Sequence, residues 1–570
     1  MKHLISFTFS LVAVLTLATT TSAQVTTGSL SGNVQNEAQA SVSGASVIAI
    51  HLPSGTTYET TSRADGRFVI INMRVGGPYV VTVAFTGTGA AAFAPQTQEN
   101  IEINLGVATD VRFDVKNISV SETVTVTAQS DTVFSSGRTG AATSVNRETL
   151  ASMPTVRGLI SDFTRLTPQT SGANSFGGAD SRMNNMTVNG AAFNNSFGLG
   201  GQPGERTGVA PISLEAIEQV QVSIAPYDVR QGNFVGASVD TITRSGTNSL
   251  RASVYHRFRN EEFVGTEAAG LVFNPGTFNT TNTGLWAGAP VIKNRLFLFG
   301  NYENEADARP LSTFRANSGG EAVGGNVTRV LASDMTNLSA FLKSSFGYDT
   351  GSFDAPTDNT PQKRGLIRTD LNINNNNKFS FNYLQLNSSS DNLLSGSTSA
   401  GIGRRQVATD ALNYANSNYS ILENRKTSTG ELNTVLGSTM ANSLRVNYSS
   451  SDESRADIGK LFPFVDILQG GTAYISFGSE PFTPNNELRY NSFEIKNDFT
   501  KFSTKHELTF GGRVERYNSD NVFFNCCKQG AWVYNTLDEF YADAREALAN
   551  PNRATSSVSA RNYQLRYMNR

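Results

Sequence analysis

The sequence predicts a mainly β protein with an N-terminal β-sandwich, a mixed α/β domain and an antiparallel transmembrane β-barrel, in that order. Two patterns lead to this prediction. Short strand-like segments separated by turn residues fill the N-terminal part, and from Leu250 onward apolar and polar residues alternate with a period of two. The chain has 570 residues, of which 16% are charged and 50 are glycine, with a net charge of -2. This composition agrees with β structure and long polar loops and gives no reason to expect nucleic-acid binding.

The N-terminus has the features of a secretory signal peptide over residues 1–23. Lys2 is followed by an apolar run from Leu4 to Ala18, and small residues precede Gln24. This run is too short for a membrane-spanning helix. Because no later segment offers the roughly 18 apolar residues that such a helix needs, we expect any membrane span to be a closed barrel.

Residues 24–116 are predicted to form the β-sandwich, in which turn signals such as Asp65-Gly66 separate short strands. The predicted strands are Ser29–Val34, Ser46–Leu52, Arg67–Ile71, Tyr79–Phe85 and Val111–Val115. The stretches Gly44-Ala45-Ser46-Val47 and Ala64-Asp65-Gly66-Arg67-Phe68 resemble carboxypeptidase regulatory-like domains. A zinc peptidase needs clustered imidazole and carboxylate ligands. The chain has four histidines, which do not cluster in the sequence: His3, His51, His256 and His506. We therefore expect this domain to be a binding or spacer module.

Residues 117–131 are predicted to be a polar tether that contains one strand-forming segment. The segment alternates Thr and Val and has no Gly or Pro. We call it the coupling box, and it consists of Glu122, Thr123, Val124, Thr125, Val126, Thr127 and Ala128. An ordinary sandwich strand shows the same alternation. Because the box lies between a compact β domain and a long series of hairpins, it resembles the TonB box of TonB-dependent outer-membrane transporters.

Residues 132–248 combine helical and strand patterns. Helices are predicted over Arg147–Ala151, Val156–Leu166 and Pro211–Glu218, and strands over Met186–Val188, Gln219–Ile224 and Ala237–Thr243. The stretch Ala225–Gly236, followed by Thr241–Asn248, resembles the end of the plug domain in Oar-like TonB-dependent receptors. The plug-motif residues that this resemblance implies are Tyr227, Asp228, Arg230, Gly232 and Arg244.

Residues 249–570 show the alternation expected of barrel strands. In Ser443–Ser449, for example, Leu444 and Val446 share one face and Arg445 and Asn447 the other. The same pattern occurs in Gly365–Ile373, Lys378–Asn387, Ser492–Thr500 and Glu507–Glu515. Short and long connections also alternate, as they do at the two rims of an outer-membrane barrel.

About ten strands of roughly nine to eleven residues are predicted, of which the last is Tyr563–Arg570. A helix is predicted over Asp538–Ala549, inside the last long loop. The transporters that the chain resembles close with about 22 strands. We therefore expect the barrel to be incomplete here, and the chain to be the N-terminal part of a longer transporter or a truncated reading frame. The adjacent Cys526 and Cys527 are expected either to form a vicinal disulfide or to remain thiols in an exposed loop.

The resemblance implies a TonB-dependent outer-membrane transporter, exported by the Sec route to the outer membrane of a Gram-negative bacterium. The partners implied are a TonB-like periplasmic energy-coupling protein, outer-membrane lipid and an extracellular ligand that the sequence does not identify. No enzymatic activity, cofactor, metal or nucleic acid is expected. The alternative is an adhesion or structural surface protein that keeps the scaffold without energised transport.

Overall fold

The structure is a computed structural model. It describes residues 26–85, 93–116, 124–127, 141–155, 158–172, 174–195, 197, 201–224, 230–231, 235–272, 276–354, 357–397, 405–437, 439–503, 506–523 and 526–565. The predicted signal peptide therefore lies outside the described residues. Among the described residues, no helix is long and apolar enough to cross a membrane.

The first domain is a sandwich of two sheets. Its strands are β1 (Gly28–Asn36), β2 (Ser46–His51), β3 (Thr56–Thr61), β4 (Arg67–Met73), β5 (Gly76–Phe85), β6 (Phe93–Ile103), β7 (Ala108–Val115) and β8 (Val124–Thr127). One sheet has the order β4-β1-β7 and the other the order β3-β2-β5-β6-β8. Alternate side chains of both sheets meet in one core, where Leu30, Val47, Val81 and Phe113 are fully buried. The predicted sandwich is present, with β3 and β6 as strands that the sequence pattern missed.

The second domain is built on a five-stranded sheet with the order β13-β12-β15-β14-β9. Its elements are β9 (Ala141–Asn146), α1 (Arg147–Ser152), α2 (Ser161–Thr164), β10 (Thr170–Gly172), β11 (Ser175–Phe176), β12 (Asn185–Val188), β13 (Ala191–Ala192), β14 (Ile217–Ile224) and β15 (Ala237–Thr243). Asn146 caps α1 by accepting a hydrogen bond from the Thr149 backbone N–H.

Two predicted helices of this domain are largely absent. Within the described part of Val156–Leu166 only α2 is helical, because Gly158 adopts a positive φ of 66° that interrupts the turn. Of Pro211–Glu218 only the 3-10 turn Leu214–Ala216 is helical. The residues after this turn alternate between apolar and polar types and form β14 in the sheet. Pairing in the sheet therefore determines where the helical turn ends.

The third domain contains the membrane sheet and its outer loops. Its elements are β16 (Arg251–Asn260), β17 (Glu267–Ala268), β18 (Leu271–Val272), β19 (Asn279–Ile292), β20 (Leu296–Pro310), β21 (Arg315–Asn317), β22 (Val327–Leu331), α3 (Ala332–Phe346), β23 (Thr357–Asn372), β24 (Asn377–Asn392), β25 (Leu412–Asn413), β26 (Tyr419–Leu436), β27 (Met440–Asp452), β28 (Arg455–Asp457), β29 (Phe464–Gln469), β30 (Thr472–Phe477), β31 (Asn486–Phe502), β32 (Glu507–Phe523), β33 (Ala531–Tyr534), α4 (Leu537–Ala549) and β34 (Asn562–Gln564).

Nine long strands form the membrane sheet, in the order β16-β19-β20-β23-β24-β26-β27-β31-β32, and the short β28 pairs with β26. All these pairings are antiparallel, as predicted. Among the described residues β16 and β32 are the two edges of this sheet, so the barrel is open.

The two faces of the membrane sheet differ as the alternation predicts. On β27, Val446 is 38% exposed on the outer face, whereas Asn447 is 1% exposed on the inner face. Phe379, Phe381, Phe493 and Ile495 are exposed apolar side chains of the same outer face. The inner face carries buried charged and amide groups, and several of them contact the second domain.

Strand length and the last strand differ from prediction. β23, β24, β26, β31 and β32 have 16 to 18 residues, because polar residues that read as loop continue the ladder beyond the apolar band. The predicted tenth barrel strand over Tyr563–Arg570 is wrong in its described part. β34 instead pairs with β33 in a separate sheet that the long loops form.

The long loops assemble into one body, which we call the outer lobe. It consists of β21, β22 and α3, of β25, of β29 and β30, and of β33, α4 and β34, contributed by four separate loops. Its main sheet has the order β25-β30-β29-β33-β34. Met335 and Leu338 of α3 pack with Ile475, Phe477 and Phe540 in its core. The helix predicted in the last loop is present as α4, and α3 is a helix that the sequence pattern missed.

Cys526 and Cys527 are bonded to each other as a vicinal disulfide. Both residues are fully buried, in a small core with Leu394, Phe464 and Phe482. The first of the two expected arrangements is therefore present, and the alternative of thiols in an exposed loop is wrong.

Candidate functional site: the coupling box, the second domain and the domain junction

The described part of the coupling box is the strand β8. It runs parallel to β6, with Val124 opposite Gln96 and Thr127 opposite Glu99, and it forms the edge of the larger sheet of the first domain. An alternation of β-branched residues without Gly or Pro favours such an extended backbone. Glu122, Thr123 and Ala128 lie outside the described residues.

The chain that follows the box leads directly into the sheet of the second domain. Residues 128–140 connect β8 to β9. β9 is an edge strand of that sheet and pairs antiparallel with β14, from Asn146 opposite Gln219 to Ala141 opposite Ile224. β9 is therefore the first strand of the second domain that the chain forms after the box, and as an edge strand it has fewer pairings than a central strand.

The far end of β9 is connected to the barrel wall through Glu215. Arg147, which follows β9, places its Nη2 atom 2.8 Å from Glu215 Oε2, and Arg257 of β16 places its Nη2 atom 3.0 Å from Glu215 Oε1. Burial raises the pKa of Glu215, but the two arginines more than offset this, so its pKa lies below the ordinary value. Glu215 therefore stays ionised and bridges the second domain to the barrel.

The structure places two of the five plug-motif residues, and it does not bring them together. Tyr227, Asp228 and Gly232 lie outside the described residues. Arg230 lines a small cavity of about 30 Å³ beside Asn442 and Asp498 of the barrel, whereas Arg244 lines a separate, larger cavity.

Arg244 joins the end of the second domain to the barrel wall. Its guanidinium lies 3.8 Å from the ring centroid of Trp286, and its Nη1 atom donates to the Glu215 carbonyl oxygen at 2.9 Å. Burial, and next the charge of Arg147, lower the pKa of Arg244 to about 10. The group remains a cation at neutral pH, and its stacking on the indole ring is a cation–π contact.

Arg244 faces a cavity of about 440 Å³ at the junction of all three domains, which we call the junction cavity. The first domain contributes Tyr58 and Arg74, the second contributes Glu218 and the barrel contributes Asp370 to its lining. Arg74 Nη2 lies 3.6 Å from Asp370 Oδ1. The first domain thus lies across the inner end of the barrel, on the side where the chain enters the first membrane strand.

Further hydrogen bonds hold the first domain in this position. Asn372 Nδ2 donates to Thr56 Oγ1 at 3.0 Å, and the Asn248 backbone N–H donates to the Pro53 carbonyl oxygen at 2.8 Å. The Arg63 Nη1 atom donates to the Ser503 carbonyl oxygen at 2.9 Å. The contacts of Pro53 and Thr56 come from the hairpin of β2 and β3, and the contact of Arg63 comes from the loop between β3 and β4. Two neighbouring parts of the first domain therefore hold it against the barrel.

Carboxylates of the barrel bind backbone N–H groups and an arginine side chain of the second domain. Glu423 of β26 accepts hydrogen bonds from the Gly204 N–H at 2.6 Å and from the Thr207 N–H at 3.2 Å. Glu453 Oε2 lies 3.0 Å from Arg206 Nη1. The sequence pattern predicts charged residues on the inner face but does not predict that they bind the second domain. The only feature in the sequence that points to such binding is a carboxylate at an inward position of a strand.

Arginines of the inner face bind the second domain in the same way. Arg445 Nη1 donates to the Gly190 carbonyl oxygen at 2.7 Å, and Arg425 Nη1 donates to the Asn194 carbonyl oxygen at 2.9 Å. Gly190 has a φ of 70°, and a Cβ atom there would lie 2.5 Å from the Arg445 guanidinium. Glycine is therefore required both by the turn and by the close approach of the arginine.

Three of the four histidines lie in described regions, and each has its own environment. His51 Nδ1 lies 2.7 Å from Ser54 Oγ, and His256 Nδ1 lies 2.7 Å from Thr283 Oγ1. His506 donates its backbone N–H to Ser503 Oγ at 3.1 Å. Among the residues that the structure places, no group of three His, Cys, Asp or Glu side chains is arranged to hold a metal ion.

Residues 29–116 match the carboxypeptidase regulatory-like domain family, and residues 242–328 and 313–567 match the outer membrane beta barrel domain family. The chain is also similar to the TonB-dependent transporter Oar of Myxococcus xanthus, with 22% identity over 228 residues, which cover 37% of this chain and 21% of Oar.

The chain is also similar to solved structures of outer-membrane transporters and receptors, including the following two. The outer membrane transporter YddB from Escherichia coli shares 11% identity and a TM-score of 0.47, over 69% of this chain and 50% of YddB. The siderophore receptor PirA from Acinetobacter baumannii shares 12% identity and a TM-score of 0.39, over 67% of this chain and 48% of PirA. The chain thus spans about a fifth of the length of Oar and about half the length of these two structures.

The barrel-family match covers more than half of the chain. This protein therefore belongs to the outer membrane beta barrel domain family, carries a carboxypeptidase regulatory-like domain ahead of the barrel, and resides in the outer membrane of a Gram-negative bacterium.

Proposed function

We propose that this protein is a TonB-dependent outer-membrane transporter, which binds a ligand at the cell surface and imports it with energy supplied from the inner membrane. In this proposal residues 24–116 form a periplasmic domain, 117–131 the tether, 132–248 the plug and 249–570 barrel strands with outer loops. The protein performs no catalysis of its own. The observation that carries the proposal is the position of the coupling box, a strand whose chain leads directly into an edge strand of the plug.

The periplasmic partner, a TonB-like protein, would bind Glu122–Ala128 as an added β-strand. In β-augmentation the main-chain hydrogen bonds supply affinity and alternate side chains supply selectivity. The force would pass through residues 128–140 to β9 and reach the barrel wall at the Glu215 bridge. The residues Tyr227, Asp228, Arg230, Gly232 and Arg244 would form the end of the plug that stays attached to the barrel.

The contacts between plug and barrel support a plug that can be moved and returned. Many are hydrogen bonds and ion pairs, such as those of Glu423 and Arg445, in addition to apolar packing against Phe299, Leu366 and Leu384. Water can replace polar partners at little net cost, since a typical hydrogen bond contributes only about 0.5 to 1.5 kcal/mol net. A plug held in this way can be displaced without unfolding the barrel.

The proposal is tested by replacing Val126 with proline, which removes a backbone donor and fixes φ. Because so short a strand has few hydrogen bonds, we expect binding of the full chain to the periplasmic domain of the TonB-like partner to weaken about tenfold or more. Val124→Ile is the matched control and should bind normally. Both variants should insert into the outer membrane, because the tether contributes nothing to the barrel. Unchanged binding by Val126→Pro would contradict the assignment of the box.

The second candidate is an adhesion or structural surface protein, which the outer lobe favours because four loops there share one packed core. Deletion of residues 122–128 separates the two candidates. A transporter should retain ligand binding at the cell surface and lose energised uptake. An adhesion protein should keep its surface function in full.

A further inference from the structure

We infer that the first domain is the resting receptor of the coupling box, so that the periplasmic partner must take the box from the edge of β6. This inference rests on the proposed function of the box. Its basis is the parallel pairing of Val124–Thr127 with Gln96–Glu99. That pairing occupies the backbone edge of β8 that faces β6, and it covers an edge of β6 that would otherwise be open.

The chain is routed so that the box returns to this edge. At the end of β7, the Lys116 carbonyl oxygen accepts a hydrogen bond from the Ala94 N–H at 2.9 Å. The end of β7 therefore lies beside Ala94 of β6. Ala94 is two residues before Gln96, where the pairing of β6 with the box begins. Only the seven residues 117–123 separate Lys116 from Val124. A link this short gives an effective concentration in the millimolar range, so even a weak pairing is populated.

The edge that receives the box is held in place by contacts on its other side. β6 pairs antiparallel with β5, and Thr97 Oγ1 lies 3.1 Å from Thr82 Oγ1 across that pair. Gln98 Nε2 donates to the Arg112 carbonyl oxygen at 2.6 Å, which ties β6 to β7. These contacts do not involve the box, so β6 offers a preformed edge whether or not the box is bound.

The box in turn is held only weakly. Its described strand has four residues, and a parallel pairing of that length has few hydrogen bonds. In this inference the partner pairs with the edge of β8 that faces β6, so it competes with β6 for the same backbone groups. A partner that pairs with the other edge of β8 would bind equally well whether or not the box is held by β6. The apparent affinity of the partner is then reduced by the fraction of molecules in which the box is free. The first domain would thereby set the apparent affinity of the periplasmic partner for the transporter.

A disulfide across the pairing tests the inference in the full chain. Thr97 and Thr125 are opposite each other in the register, and neighbouring strands lie about 4.8 Å apart, within the Cα range of a disulfide. We expect the double variant Thr97→Cys, Thr125→Cys to cross-link under mild oxidation. The oxidised protein should bind the periplasmic domain of the TonB-like partner at least about tenfold more weakly than the reduced protein. The pair Glu99→Cys, Val124→Cys is three residues out of register and is the matched control that should not cross-link.

Each outcome bears on one statement. Failure of the in-register pair to cross-link, or equal partner binding by the oxidised and reduced forms, would overturn the inference. Loss of partner binding in the reduced form as well would contradict the assignment of the coupling box, while the cross-link would still support the pairing. Hydrogen exchange adds an independent readout in the unmodified protein. The amides of Val124–Thr127 that bond to β6 should exchange at least about tenfold more slowly than free peptide, and exchange at the free rate would also overturn the inference.

Discussion

Val446 and Ser443 lie on the same strand, β27, but on opposite faces of the membrane sheet. Val446 is 38% exposed on the outer face, where lipid replaces water in the membrane. The Ser443 hydroxyl donates to Glu431 Oε1 at 3.1 Å on the inner face. The two positions therefore provide a matched comparison of a charge in lipid with a charge beside a carboxylate.

We expect Val446→Lys to impair assembly into the outer membrane far more than Ser443→Lys. A lysine near the bilayer midplane costs roughly 2 to 4 kcal/mol, whereas a lysine at position 443 has Glu431 as a partner. The measurement is the amount of each variant recovered in outer membranes at equal expression. Equal recovery of the two variants would show that the faces are assigned wrongly.

His51 predicts a dependence of the first domain on pH. Burial, and next the charge of Arg74, lower its pKa from 6.5 to about 3. The unfolded chain binds a proton below pH 6.5 and the folded domain does not, so stability is present above pH 6.5 and is lost as pH falls towards 3. Between pH 7 and pH 5 the loss is about 2 kcal/mol.

The matched variant for this prediction is His51→Gln, which lacks the titrating group. Glu102 acts in the opposite direction, because burial and the charge of Glu218 raise its pKa. The informative quantity is therefore the difference between wild type and variant. Hydrogen exchange in β2 and β5 at pH 7 and pH 5 should show a larger acid-induced increase in wild type. An identical pH response in the two proteins would exclude His51 as the cause.

At the scale of elements, α4 holds the outer lobe together from the last loop. Phe540 is 6% exposed, and its ring packs against Phe341 of α3, Phe477 of β30 and Tyr534 of β33. Thr536 caps the helix by accepting a hydrogen bond from the Glu539 N–H. One side chain thus contacts elements from three different loops.

We expect Phe540→Ala to destabilise the outer lobe by about 3 to 5 kcal/mol, since it leaves a cavity in a core of this kind. Protease added to intact cells should then cut the lobe faster, in α3 and β30 as well as in α4, while recovery in the outer membrane stays normal. Leu548→Ala is the control, because Leu548 is 42% exposed on the same helix. Faster cleavage confined to α4 would contradict a shared core.

The elements also show what the sequence predicts and why the rest escapes it. The faces of β27 are predictable because the alternation of Leu444 and Val446 with Arg445 is a local property. The sequence pattern does not predict β6, because Pro95 and the polar residues around it are not typical of a strand. Pairing with β5 and hydrogen bonds to β7 nevertheless hold these residues extended. Without β6 the pairing of the coupling box could not be predicted either.

At the scale of the whole molecule, the three-part order of sandwich, α/β domain and membrane sheet follows from the sequence, whereas their contacts do not. Arg244 was predicted from its motif, but its stacking on Trp286 joins residues that are distant in the chain. The same holds for Arg74 and Asp370 at the junction cavity. The segment at Tyr563 was assigned wrongly for the same reason. β34 forms because it pairs with β33, and its own residues show little alternation of apolar and polar types.

The assembly of the outer lobe from four loops has a consequence for recognition from outside the cell. Any antibody or phage that binds this face meets a discontinuous epitope, in which neighbouring surface residues come from separate parts of the chain. A linear peptide copied from one loop should fail to compete for such a binder. Because the loops share one core, a substitution that disturbs the packing of one loop should abolish binding to a surface formed by another loop. Escape variants would therefore include positions that the binder does not contact.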